Sequence, residues 1–298
     1  MCISEKPTLF ISFSGGRTSA YMTDILLSKY HEKYDFIVTF ANTGQEHDKT
    51  LEFINKCDQR WGGVVIWLEA VVNPQKGEGT RYSIVDFTTA TRRHETHDET
   101  PFAQVIAKYG IPGMTAPQIC TRELKGAVMG SYRRDVEKRT GTKCYNAIGI
   151  RSDEKKRLMK PVDREKFKVV YPLCDWFETE KGDVLDYWAE QEFDLEIPER
   201  LGNCVACWKK SLAKLTLIAK ENPEYFDFAE RMEANHPQTN NKVGYRDRVF
   251  FRGHRTAKDI KALGLGIDIV NVDDSTDDAG GCTESCEVTT AEMFDAGG

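Results

Sequence analysis

No apolar run in this chain is long enough to span a bilayer, which excludes a hydrophobic transmembrane helix. Met1 to Lys6 lacks a signal-peptide pattern, so a cytoplasmic location is expected, with no membrane partner. The first glycine turn matches neither Gly-x-x-x-x-Gly-Lys-Ser/Thr nor Gly-x-Gly-x-x-Gly, which sets aside two common nucleotide-binding signatures. Positive charge is missing from the end: after Lys261 there is no lysine or arginine, only nine acids from Asp268 to Asp295. The net charge of −6 therefore conceals a mildly basic body, 41 basic against 38 acidic side chains over residues 1–261, and an acidic tail. A basic body suits a nucleotide or a nucleic acid, although solvated helix faces account for such charge equally well.

Cysteine is not scarce. Nine of them in a cytoplasmic chain of 298 residues do not read as a disulfide framework, which brings metal binding and redox chemistry forward. The length suits one large domain, or a domain with an appendage, and offers ample core.

The most informative stretch is Leu9-Phe10-Ile11-Ser12-Phe13-Ser14-Gly15-Gly16-Arg17-Thr18-Ser19, followed by apolar residues at helical spacing as far as Tyr30. This reads as strand, glycine loop and helix. The loop amides and the orphan donors of the helix's first turn form a cup for an anion. Ser14, Thr18 and Ser19 add hydroxyls and Arg17 a charge. Further buried strands are expected over 35–40, 64–68, 144–150 and 169–176, with a helix over about 49–61 and a helix after Thr179 as its cap. Strands alternating with helices predict a doubly wound, mainly parallel α/β sheet, whose ligand sits beyond the carboxyl ends of the strands. Residues 70–118 read as irregular; His94 and His97 there fit an exposed loop better than a metal site. Residues 212–262 read as helical, with Leu215, Leu217, Ile218, Phe226, Phe228 and Met232 in the core. Three parts follow: a nucleotide-binding region (1–200), a helical cysteine-bearing region (201–265) and a flexible acidic tail (266–298).

Ser14-Gly15-Gly16-x-x-Ser19 resembles the PP-loop of the N-type ATP pyrophosphatases and the phosphoadenylyl-sulfate (PAPS) reductases, with Thr18 where many pyrophosphatases have Asp. Ala41-Asn42-Thr43-Gly44 is similar to the reductases' Asp-Thr-Gly turn, with Asn for Asp. Cys120 and Lys125 match two positions of their Cys-Cys-x-x-Arg-Lys segment, while Thr121 and Leu124 replace the second Cys and the Arg. Arg122 would stand in for that Arg. Gly149-Ile150-Arg151 followed by Arg157 matches their nucleotide-contacting arginines, and guanidinium forks suit phosphate or sulfate oxygens. Pro172-Leu173-x-Asp175-Trp176 and the Cys204-x-x-Cys207 pair complete an ordered resemblance over about residues 8–210.

The resemblance implies an adenine-nucleotide-alpha-hydrolase-like fold. It implies nucleotide binding by Ser12, Ser14, Gly15, Gly16, Arg17, Thr18, Ser19, Asn42, Thr43, Gly44, Arg151 and Arg157. It implies a [4Fe–4S] cluster on Cys120, Cys204 and Cys207, which the all-sulfur donor set favours over zinc. A fourth ligand would come from Cys282, Cys286 or Cys174, or one iron would stay open. Cys282, Cys286 and Lys125 are the implied catalytic residues. Thiol-dependent reduction of PAPS or adenylyl sulfate to sulfite is the first function implied, with a thiol reductant protein as partner. ATP-dependent sulfur transfer to a nucleic-acid base or another acceptor, with Mg²⁺, is the second, and a nucleotide- or nucleic-acid-binding module without turnover is the third.

Overall fold

A computed structural model describes residues 6–75, 77–113, 118–237 and 248–266. Its spine is the apolar run that begins at Thr8. Strand β1 (Thr8–Ser12) is almost wholly buried and pairs in parallel with β2 (Asp35–Ala41) on one side. Helix α1 (Arg17–Lys29) and helix α2 (Asp48–Arg60) follow β1 and β2. β3 (Val65–Val71) extends the parallel sheet, and β4 (Arg81–Val85) closes that side as an antiparallel edge. After α3 (Pro101–Tyr109), a π-helical stretch (Cys120–Ala127) runs into α4 (Val128–Thr140). The chain then crosses to the other side of β1, where β5 (Tyr145–Ala147) pairs with it in parallel.

A 3₁₀ turn (Ser152–Arg157), α5 (Pro161–Lys166), β6 (Val169–Val170), α6 (Pro172–Asp175) and α7 (Lys181–Ala189) follow. The sheet order is β4-β3-β2-β1-β5-β6. The direction of winding reverses between β1 and β5, and this is where an open α/β sheet opens a crevice at its carboxyl edge. Ile11 pairs with both Val38 and Ala147, so the loops leaving β1, β2 and β5 emerge at one rim.

The parallel α/β architecture expected from the strand–helix alternation is present; several boundaries differ. Residues 70–118 hold β4 and α3. β4 carries exposed Ile84 and half-buried neighbours, so it lacks the continuous apolar run that marks a buried strand. The expected strand over 169–176 stops after Val170, because Pro172 has no amide to donate and instead starts α6. The strand over 144–150 is reduced to three residues. Thr179 does not cap α7; Glu180 does, in a reciprocal capping box with Asp183.

The C-terminal helices α8 (Leu212–Glu221), α9 (Asp227–Asn235) and α10 (Ala257–Leu265), with a 3₁₀ turn (Pro223–Phe226) between the first two, bury all six apolar residues expected there. One apolar core runs without interruption from Leu9 to Ile260. No described helix is long and apolar enough to cross a membrane. The expected acidic tail, including Cys282 and Cys286, lies outside the described residues.

Gly264 lets α10 lie directly on α8: a Cβ there would come within 2.8 Å of the backbone of Ala219 and Lys220. Backbone cannot move aside as a side-chain tip can. Gly264→Ala is expected to lower stability by about 1–3 kcal/mol, read as a lower midpoint in thermal or urea unfolding.

Candidate functional site

The glycine turn after β1 has a steric cause. Gly15 sits at φ +81°, and a Cβ on it would fall 2.6 Å from Ile54 Cδ1 and 3.2 Å from Thr50 Cγ2. Only glycine can make this turn against α2. Ser14 and Ser19 then brace the loop. The Ser14 amide donates to Ser19 Oγ (3.1 Å), the two hydroxyls lie 2.9 Å apart, and Ser19 Oγ donates to the Gly16 carbonyl (3.1 Å). Gly16 caps α1 without a side-chain acceptor, which leaves the first-turn amides for an anion. Ser12 Oγ, at the end of β1, and Thr50 Oγ1 are buried with no hydrogen-bond partner. Thr50 was not singled out in the sequence; it belongs to a helix surface whose approach to the loop is purely tertiary.

The arginines are placed less simply than their charges suggest. Arg17 makes a two-point ion pair with Asp194 (2.7 and 2.9 Å) and also donates to the Leu195 carbonyl. That guanidinium ties the loop to the segment after α7. Arg151 leaves β5 toward the same loop: its Nη1 donates to Thr18 Oγ1 at 3.0 Å, and its Nε and Nη2 engage Asp153. Arg151 is buried, and its Nη1 also lies 3.6 Å from Glu154. Arg157 is paired with Glu154. Gly15 and Arg151 therefore share one rim, and an incoming anion would compete there with Asp153 and Glu154.

The turn after β2 explains the asparagine that stands in the place of an acid. Asn42 is fully buried, and its Nδ2 donates to Glu69 Oε1 (2.6 Å) and to the Thr91 carbonyl (2.9 Å). Glu69 also accepts from the Thr91 amide and hydroxyl. Burial, chiefly, pushes the Glu69 carboxyl above its ordinary range. An aspartate at position 42 would face that carboxylate. Asn42 thus anchors the 86–100 loop; a donor was needed, and the signal, a glutamate 27 residues away, could not be read from spacing. Gly44 takes φ +74°. Thr43 donates through its amide and hydroxyl to Glu46 (3.1 and 2.7 Å), and its Oγ1 lies 3.3 Å from Cys204 Sγ.

That last contact leads into the cysteine cavity. Cys120, Cys204 and Cys207 line one cavity, open to solvent, together with Gln45 and an aromatic wall that includes Phe102, Trp208 and Tyr225. Cys120 comes from the first turn of the π-helix, a distortion often found at functional sites. Cys204 bridges to Glu46, and Val205 N donates to the Gln45 carbonyl (3.0 Å), so the two-cysteine loop is stitched to the β2 turn. Burial, then Glu46, raises the Cys204 thiol well above its ordinary range; Lys125 and the Thr43 hydroxyl oppose this. Lys125 is buried on the π-helix. Arg122 is held by Glu123 (2.6 Å) and stacks on Tyr109.

Cys174 does not line the cavity; its thiol donates to the Ile150 carbonyl (3.1 Å), and burial pushes it up to about 11. Among the described residues no group of three His, Cys, Asp or Glu side chains could hold a metal ion, so three thiols line the cavity without converging on one point. His97 pairs with Glu95. Trp208 Nε1 is buried without a partner in the wall of this cavity, a donor that sequence reading missed because tryptophan reads there as core.

Asn42→Asp would place two carboxylates in one buried site. Its folded-state pKa values would lie above those of the unfolded chain, so protonation would relieve the penalty at low pH. The variant is expected to match the wild type near pH 4 and to lose about 3 kcal/mol relative to it as pH rises to 7, measured by urea unfolding across that range.

Comparison with known proteins agrees with this geometry. The model of the phosphoadenosine phosphosulfate reductase domain matches residues 8–196. The uncharacterized nin region protein ORF290 of Escherichia phage lambda is 32% identical over 297 residues, covering 96% of this chain and 97% of that protein. No solved structure matches. With its glycine loop, reversed winding and strand-end arginine all inside the matched segment, the chain belongs to the phosphoadenosine phosphosulfate reductase family.

Proposed function

We propose that this protein reduces a sulfuryl-bearing adenosine nucleotide, PAPS or adenylyl sulfate, to sulfite. The observation that carries the reading is the 3.3 Å contact between Thr43 Oγ1 and Cys204 Sγ, which sets a thiol-lined cavity against the turn that borders the nucleotide crevice. The first-turn amides of α1 with Ser14, Thr18 and Ser19 would hold nucleotide oxygens. Arg151 and Arg157 would exchange Asp153 and Glu154 for the nucleotide's anionic groups.

A thiolate then attacks the sulfuryl sulfur. The S–S bond forms, the bond from sulfur to the nucleotide's bridging oxygen breaks, and the nucleotide phosphate leaves with the electron pair. A second thiol, from a dithiol reductant protein, attacks the modified cysteine, forming a disulfide and releasing sulfite. Cys282 or Cys286 is the proposed attacking residue, and Lys125 would balance negative charge near Cys204.

Cys120, Cys204 and Cys207 would hold a [4Fe–4S] cluster. The three thiols line one cavity and form an all-sulfur donor set, as such a cluster requires, and the unpartnered Trp208 indole in the same wall would offer it a hydrogen bond. When bound, the cluster supplies electrostatic tuning of the sulfuryl group. A second reading, ATP-dependent sulfur transfer with Mg²⁺ to a nucleic-acid base or another acceptor, draws on the braced Ser14–Ser19 loop and on the three-cysteine set Cys120, Cys204 and Cys207.

Anaerobically purified protein is expected to be brown, with about four irons per chain, and Cys204→Ser to lose most of them; colourless, zinc-loaded protein would sink the cluster. Sulfite release from PAPS or adenylyl sulfate with a thiol reductant supports the first reading, and pyrophosphate release from ATP the second. Neither product would leave a binding module. Arg151→Lys is expected to raise the KM for the nucleotide at least about tenfold, because an ammonium cannot reproduce a fork.

A further inference from the structure

The chain carries two consecutive lysines after the cysteine pair, and they do different things. Lys209 reaches outward: its Nζ donates to Gln118 Oε1 (2.6 Å) and lies 3.5 Å from Thr121 Oγ1, beside Cys120. Lys210 turns inward. It is 2% exposed, and its Nζ donates to the carbonyls of Cys204 and Val205, both at 2.9 Å. Its own amide donates to the Cys207 carbonyl at 3.0 Å, and the Cys207 amide donates to the Cys204 carbonyl at 3.1 Å. Lys210 therefore grips the turn at both cysteines.

A carbon side chain of similar length would fill this space without taking an ammonium out of water. The two carbonyls account for where the ammonium points. The turn that the ammonium holds also carries two thiols, which bind metal only as thiolates.

We infer that Lys210 is a positioning residue for the two-cysteine turn, fixing its carbonyls and placing a positive charge behind the group that Cys204 and Cys207 bind. This rests on the cluster reading above. A nearby cation stabilises the more negative, reduced state of a thiolate-ligated cluster, so its removal shifts the reduction potential downward. A simple backbone staple would leave the potential alone.

The test uses the full chain, reconstituted anaerobically with iron and sulfide. Iron content and reduction midpoint are measured on the folded, monodisperse fraction of wild type, Lys210→Met and Lys210→Arg. Lys210→Met is expected to retain severalfold less iron and to show a more negative midpoint in what remains loaded, and Lys210→Arg to restore the midpoint toward wild type. Wild-type iron and midpoint in Lys210→Met overturn the inference, as does iron loss with an unchanged midpoint. If Lys210→Met does not fold, Lys210→Gln, which keeps a donor and removes the charge, decides by the same midpoint. A wild type that takes up no iron brings down the cluster reading and this inference with it, whereas a loaded wild type with an indifferent Lys210 brings down the inference alone.

Discussion

A threonine hydroxyl lying 3.3 Å from a thiol joins the two halves of this molecule's site. Thr43 stands at the end of β2 and Cys204 in a loop 161 residues later. The contact does not act alone: Glu46 bridges to Cys204, and Val205 donates to the Gln45 carbonyl. Backbone pairing of this kind fixes distance and orientation better than side-chain packing, because each donor and acceptor is anchored at its Cα. The cysteine cavity consequently keeps its place relative to the crevice at the strand ends, and the apolar core runs unbroken beneath both.

The polar interior is arranged around that seam. Glu69 receives three donors, two of them from Thr91, and so pins the 86–100 loop to the ends of β2 and β3. Glu46 closes the β2 turn on itself through Thr43 and Gln45. Arg151 joins the end of β5 to α1 through Thr18. Buried charges held this way cost desolvation and yield little net stability, but they permit few alternative arrangements. The two arginines after β5 are held by internal acids, Arg151 by Asp153 and Arg157 by Glu154.

Much of the architecture was readable in the chain. The run Thr8–Phe13 ending in Gly15-Gly16 located the first strand, turn and helix, because burial on both faces produces continuous apolar sequence and the turn produces glycine. Alternation of such runs with amphipathic helices called for a parallel sheet, and winding on both sides of β1 followed. β4 escaped notice because an edge strand is apolar on neither face throughout. The strand after Lys168 is shorter than its apolar sequence suggests, because Pro172 has no amide to donate.

By itself, the sequence determined the residue types that can do this chemistry and the order in which strand ends deliver them, since both are properties of local pattern. It could not determine pairing. Nothing in the sequence shows that the Asn42 amide meets Glu69, or that Arg17 pairs with Asp194. Cys120, Cys204 and Cys207 become neighbours only because a π-helix, a loop and the β2 turn pack on one another. Partners far apart in the chain leave no spacing to read, and only the folded backbone sets which of them meet.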